Sequence, residues 1–371
     1  MIKSICKYLI IFLPVLILLV SVNCYADPAN ILWANGNIAK AVSTSILNGN
    51  DTYVLSGNID EREARKFLVM DMPNDIDCLA VGPSLIMCVS SEMVGTDSFM
   101  NLGESGADYY DILNTIGQLD VTDKLPKTMI LCVDTLFFDK ANLSVYTRWT
   151  AQKEYSEYFL QKMTTGSATI INGSINDNNQ NNVNIIKQFE QLFSLSYFQS
   201  SINYLLKDNT ESAERIGVVS ESGYDGAFWR ADGSYVYTKE YQENSIEKAS
   251  EYAKLLLDSQ DVYLSLNDHI DSECKAVFEQ LIDYLQANDV EVIFYLSPYH
   301  PIVWDEIETN YQTSLPIELE TYISEYANGK NIRIIGAYDP EKAGVDATDF
   351  YDGRHMRAES LMEHFDFSVV K

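Results

Sequence analysis

The sequence predicts an α/β fold in which helices wind around a mostly parallel sheet. Two observations predict it: five short, near-continuous apolar runs, and helical periodicity in the stretches between them. Runs of that length suit strands buried on both faces, and their alternation with amphipathic helices is the pattern of a doubly wound sheet. The composition allows it. With 371 residues, 46% hydrophobic and 22% charged, the chain can bury a sizeable core as one large domain or two ordinary ones.

Taken in order, residues 1–26 begin with Lys3 and Lys7 ahead of an apolar run from Tyr8 to Val22, with the small residue Ala26 following. A basic start, an apolar middle and a small residue predict a secretory signal peptide. A retained membrane anchor is the alternative. Either places the protein outside the cytoplasm, secreted or held on the outer face of the cytoplasmic membrane. Residues 27–73 read as a mostly helical preamble, with Ile59 to Met70 its clearest helix. The five strand candidates are Ile76 to Val81, Ser98 to Leu102, Thr128 to Val133, Val290 to Leu296 and Asn331 to Ile335. Between the third and fourth, Cys274, Val277, Phe278, Leu281, Ile282 and Leu285 make one apolar helical stripe, which Asn288 can close.

The sheet pattern thus spans residues 74–135 and 268–371. Residues 136–267 interrupt it and are too long for a crossover, so they read as an inserted subdomain over one end of the sheet. Helical patterns from Tyr146 to Met163 and from Ile185 to Leu206 flank a polar tract, Asn176 to Asn184, expected to be a surface loop. Asp232-Gly233 between aromatic runs signals a hairpin, and Ile246 to Leu257 resumes helical spacing. Phe228, Trp229, Tyr235 and Tyr237 could stack on sugar rings, but cross-strand packing is the simpler expectation.

Charge narrows the function classes. Lys and Arg total 26 against 54 Asp and Glu, a net charge of −28. Nucleic-acid binding needs a basic footprint, so no nucleic-acid partner is expected. The six cysteines form no CxxC motif or Cys/His cluster, and no metal or cofactor is expected. Cys78, Cys88, Cys132 and Cys274 lie in apolar stretches and read as buried free thiols.

Two places could carry chemistry. Ser84 directly follows the first strand, in Val81-Gly82-Pro83-Ser84, where open α/β sheets bind ligands. Near the other end stands Asp352-Gly353-Arg354-His355. A serine hydroxyl needs a base to take its proton, and the base needs an acceptor to fix its tautomer. Each alone has a plain structural explanation, since serine and aspartate both cap helices. His300, just past the fourth strand, could line the same pocket as a substrate-binding residue. His269 and His364 read as helix-end residues.

Together, Gly82-x-Ser84, Asn101-Leu102-Gly103-Glu104-Ser105-Gly106 and Asp352-x-x-His355 resemble the blocks of the SGNH/GDSL hydrolase superfamily. The resemblance covers roughly residues 75–135 and 268–366. It implies a three-layer α/β/α sandwich with a five-stranded, flavodoxin-like parallel sheet. It also implies Ser84 as nucleophile, His355 as base, Asp352 as its orienting acid, and an oxyanion donor at Gly106, with Gly103 second. Two departures stand out. The first block has Pro83 for the usual Asp, and the third has Asp134 where the family places an Asn that donates to the oxyanion. An ionised Asp is acceptor-only. Asp134 is therefore an altered oxyanion position: it is protonated in a dry pocket, or another donor replaces it, or the chemistry differs. If solvent reaches it, its charge would slow ester hydrolysis; weak hydrolysis by the wild type and faster hydrolysis by Asp134→Asn are expected. Divergent third blocks and N-terminal membrane segments also occur in cell-surface polysaccharide O-acetyltransferases and esterases, which this chain resembles. The implied function is an exported serine esterase or O-acyltransferase acting on acyl groups, acetyl first among them, of surface glycans or other esters, with a membrane acyl-donor protein as a partner in the transfer case. The alternative is a catalytically inactive glycan- or partner-binding module.

Overall fold

A computed structural model describes residues 2–26, 38–55, 59–139, 152–168, 193–206, 216–258, 269–310 and 314–369. The polar tract at 176–184 and the first parts of the two helical patterns beside it lie outside these residues.

The longer helices are α1 (Ile2–Ala26), α2 (Ile38–Leu47), α3 (Glu61–Asp71), α4 (Tyr109–Val121), α5 (Lys153–Thr165) and α6 (Leu195–Leu206). They continue with α7 (Ile246–Asp258), α8 (Ser272–Ala287), α9 (Pro301–Thr309), α10 (Leu315–Lys330) and α11 (Ala358–His364). The strands are β1 (Thr52–Val54), β2 (Cys78–Val81), β3 (Phe99–Asn101), β4 (Thr128–Cys132), β5 (Ile216–Val218), β6 (Phe228–Trp229), β7 (Tyr235–Val236), β8 (Glu291–Leu296) and β9 (Arg333–Gly336).

The five apolar runs form one five-stranded sheet in the order β3-β2-β4-β8-β9, with every neighbouring pair parallel. Alternate side chains of each strand enter two different apolar clusters. Leu79, Met129, Leu131 and Phe294 pack with Ile116 of α4, Phe278 and Leu281 of α8 and Ile323 of α10. Cys78, Ala80, Ile130, Cys132 and Ile293 pack with Ile86, Phe350, Met356 and Leu361 of α11. Both faces are therefore covered, which is why the strands read as continuous apolar runs rather than as alternating ones. Cys78, Cys88, Cys132 and Cys274 are buried free thiols, and burial pushes Cys78 and Cys88 up to about 12.

The helices start and stop where local chemistry dictates. Asp60 caps α3 by accepting from the Glu63 N–H, and Asp108 forms a capping box with Asp111 at the start of α4. Asp271 caps α8, and Asn288 ends it as the sequence predicts.

A second sheet is not legible in the sequence. β1, from the stretch read as helical, pairs antiparallel with β5 and β6, and β6 pairs with β7 to give the order β5-β1-β6-β7. The hairpin at Asp232-Gly233 forms as expected, with Trp229 opposite Tyr235 and their rings 5.2 Å apart. Preamble and insertion thus share one small sheet. Arg65 on α3 fastens it to the large one: its guanidinium donates to the carbonyls of Gly103 (3.0 Å), Asn101 (2.9 Å) and Gly233 (3.1 Å).

Side chains of α1 are described from Leu13 onward; among the described residues no helix is long and apolar enough to cross a membrane. Asn23 of α1 is buried and accepts from the Ser201 hydroxyl of α6 at 3.0 Å.

Candidate active site

Ser84 opens a single 3-10 turn (Ser84–Ile86) at the C-terminal end of β2, one of the central strands. Gly82 just before it has φ +150°, and a Cβ there would lie 2.6 Å from the Cβ of Cys132, so β2 and β4 approach closely only because this residue is glycine. The loop after Ser84 is held by Asn101 of β3. Its amide donates to the carbonyls of Ile86 and Val89, both at 2.8 Å, and its side-chain oxygen accepts from the Gly103 N–H at 2.8 Å. That bond spends the Gly103 N–H. Gly106, with φ +57°, lines the cavity beside Ser84.

The second half of the site is the turn before α11. The Phe350–Met356 bridge and the bond from Tyr351 N–H to the His355 carbonyl (2.8 Å) close this turn. Inside it the Asp352 carboxylate is fully engaged. Oδ1 accepts the backbone N–H groups of Arg354 and His355, both at 2.7 Å. Oδ2 faces His355 Nδ1 at 2.9 Å and accepts from the Tyr241 hydroxyl. His355 Nε2 lies 2.8 Å from Ser84 Oγ. The structure brings Ser84, His355 and Asp352 into one continuous chain across 271 residues of sequence.

Charge fixes the proton positions. Burial alone would raise the Asp352 pKa, but the charge and hydrogen bonds of His355, with the Tyr241 hydroxyl, hold it well below the usual carboxylate range. An ionised Asp352 can only accept, so Nδ1 of His355 carries a proton and donates. In the neutral imidazole that leaves Nε2 as the acceptor for the Ser84 hydroxyl. Burial, then the Asp352 charge, pushes Tyr241 far up, so its phenol stays protonated and donates.

Asp134 lies two residues beyond β4, caps the turn that follows and lines the cavity, where sequence places an altered oxyanion position. It offers no donor. Its carboxylate accepts from the Leu136 N–H at 3.0 Å and forms a buried ion pair with Arg354, whose guanidinium also sits 4.1 Å over the Tyr299 ring. Arg354 is the residue between Gly353 and His355 in the motif itself. Sequence reasoning passed over it, although a buried carboxylate at a strand end calls for a nearby cation.

His300 is a correction. It is fully buried, caps α9 through Nδ1 accepting from the Ile302 N–H at 3.2 Å, and does not line the cavity. Its backbone N–H donates to the Gly353 carbonyl, so it braces the Asp352–His355 turn from behind. Burial lowers its pKa, with the Asp352 charge opposing. His364 ends α11 beside Asp349, as expected of a helix-end residue.

The cavity over Ser84 and His355 has a volume of about 690 Å³. One wall comes from the sheet edge (Pro83, Leu85, Gly106, Leu136). The other comes from the insertion: Tyr237 and Tyr241 after the hairpin, and Tyr252, Leu255 and Leu256 of α7. Of these insertion residues only Tyr237 stands out in the sequence, as an aromatic of the hairpin run. The Tyr237 ring also lies 5.8 Å from that of His355. A scan against family models finds no match to this chain, and a search of curated proteins finds none either.

Proposed function

We propose that this protein is an SGNH-like serine esterase or O-acyltransferase, with the α/β/α architecture of that superfamily, working outside the cytoplasm on acyl esters such as those of surface glycans. One observation carries the reading: the unbroken chain Ser84 Oγ, His355 Nε2, His355 Nδ1, Asp352 Oδ2, with contacts of 2.8 and 2.9 Å and the acid held ionised. Nucleophile, base and orienter then stand in the order that acyl transfer requires.

In this reading Ser84 Oγ bonds to the acyl carbon as its proton passes to His355 Nε2. The carbonyl electron pair moves to oxygen, and the backbone N–H groups of Ser84 and Gly106 are the donors assigned to that oxyanion. When the carbonyl re-forms, the C–O bond to the alcohol breaks and the alcohol leaves with the proton from Nε2. Water or a sugar hydroxyl then gives its proton to Nε2 and attacks the acyl carbon; as the carbonyl re-forms, the bond to Ser84 Oγ breaks and Nε2 returns the proton to Oγ. Hydrolysis and transfer differ only in this second nucleophile, and a membrane acyl donor would serve the transfer case. Asp352 stays ionised and stabilises the imidazolium. Arg354 neutralises Asp134, so this carboxylate does not oppose the oxyanion as an unpaired charge would.

A fluorophosphonate probe tests the assignment. The wild type is expected to be labelled and Ser84→Ala not, with nitrophenyl acetate hydrolysis falling by about 10⁴-fold or more in the variant. Equal labelling of both, or of neither, would remove Ser84 as nucleophile and favour the reading as a binding module.

A further inference from the structure

We infer that the insertion wall of the cavity is an acyl-chain site, and that the acyl group this enzyme handles is a medium-length aliphatic chain such as hexanoyl or octanoyl rather than acetyl. The inference rests on the serine-esterase reading and names its substrate class. Size is the first argument. A cavity of about 690 Å³ lies within the range of roughly 300–1,000 Å³ that holds drug-sized ligands, and an acetyl group would occupy only a corner of it.

Chemistry is the second. Leu85 and Leu136 on the sheet side face Tyr237, Tyr252, Leu255 and Leu256 across the mouth, and the charged side chains at the cavity are already engaged with one another. Asp352 is held by His355 and Tyr241, and Asp134 by Arg354. Nothing in that lining favours a charged acyl group, whereas methylenes gain by leaving water against it. A third argument comes from α7 itself. Leu255 is 58% exposed and Tyr252 37% exposed on α7, and both line the cavity, so apolar surface continues from the cavity to its rim.

The acyl group, not the alcohol, is the part assigned to this wall. It stays bonded to Ser84 through the covalent stage and must be housed there, while the alcohol has to leave and a second nucleophile enter. Gly353 keeps the wall in place. A Cβ on Gly353 would lie 3.0 Å from both the Ala253 Cα and the Leu256 Cδ2, so α7 rests directly on the turn that carries Asp352 and His355.

Two measurements test the inference and separate it from the reading beneath it. In a nitrophenyl ester series from acetate to octanoate, kcat/KM is expected to rise by about fourfold per added methylene. Leu255→Asp, a change at an exposed position, is expected to flatten that slope. A flat or falling series in the wild type overturns the inference while leaving the esterase reading standing. The second measurement needs no turnover: calorimetric titration of octanamide, a neutral probe, into Ser84→Ala. Binding with a negative heat-capacity change, weakened at least tenfold by Leu255→Asp, supports the apolar site. Absence of binding overturns it whatever the ester rates. Octanamide binding with no ester hydrolysed upholds the site and locates the failure in the serine chemistry.

Discussion

Asp134 and Arg354 meet in the protein interior, with side chains 4% and 8% exposed, and their pairing reverses what an unpaired Asp134 would predict. An unpaired charge would oppose the oxyanion, and Asn would relieve it. Paired, the carboxylate balances a buried guanidinium. Asp134→Asn is therefore expected to destabilise the fold by about 3 kcal/mol, because it strands a buried cation. A urea midpoint unchanged from wild type would show that Arg354 does not need this charge. Tyr241 works by the same logic on the other carboxylate. Its hydroxyl is one of the groups holding the Asp352 pKa down, so Tyr241→Phe raises that pKa towards the ordinary ~3.9. A depressed carboxylate contributes stability above its unfolded pKa, and that stability is lost as pH falls through the folded one. The variant is expected to be weaker than wild type by about 1.5–3 kcal/mol at pH 7, the range for a hydrogen bond to a charged group. The gap should narrow only as pH falls below the variant's own folded pKa, which lies between the depressed wild-type value and the ordinary ~3.9. Urea unfolding at steps from pH 7 down to about pH 2 reads both; a gap that stays constant down to the lowest pH would assign the loss to packing instead.

Elements differ in how plainly they show in the sequence, and the reason is burial on one face or two. β2, β4 and β8 lie inside the large sheet and are apolar after their first residues, so the five-stranded sheet and its flanking helices were legible. β1, β5, β6 and β7 are two or three residues each and only partly buried. Too short to show a period, they gave no signal beyond the Asp232-Gly233 turn, and the second sheet stayed hidden. The site divides in the same way. Ser84, Asp352 and His355, which the structure joins in one chain of contacts, were legible because each sits in a short motif at an element end. The insertion wall was not, since Tyr241, Tyr252 and Leu255 come to the cavity through tertiary packing, with α7 resting on Gly353, and not through a local motif. His300 misled because position past a strand is weak information: its ring was recruited to cap α9 instead.

At the scale of the whole molecule, the net charge of −28 must be carried by a fold whose strongest attractions are internal. Arg62 pairs with Asp111, and Arg354 with Asp134, where water scarcely reaches. Exposed pairs such as Lys127 with Asp77 contribute little by comparison, since such pairs are worth about 0–1 kcal/mol. What remains in solvent is an excess of carboxylates whose repulsion acts over long distances and favours expansion. Salt screens the two unequally. At about 0.15 M the Debye length falls to ~8 Å, which suppresses surface repulsion while leaving buried pairs almost untouched. Added sodium chloride should therefore stabilise this protein. Between about 10 mM, where the Debye length is ~30 Å, and 0.15 M, the unfolding temperature of this 371-residue chain is expected to rise by roughly 1–2 °C, equivalent to about 1 kcal/mol. Scanning calorimetry at the two concentrations measures it, with potassium chloride as a check against a specific effect of sodium. A fall in unfolding temperature would mean that exposed ion pairs outweigh the repulsion, and that the acidic surface is organised into attractive networks instead of carrying an unbalanced charge.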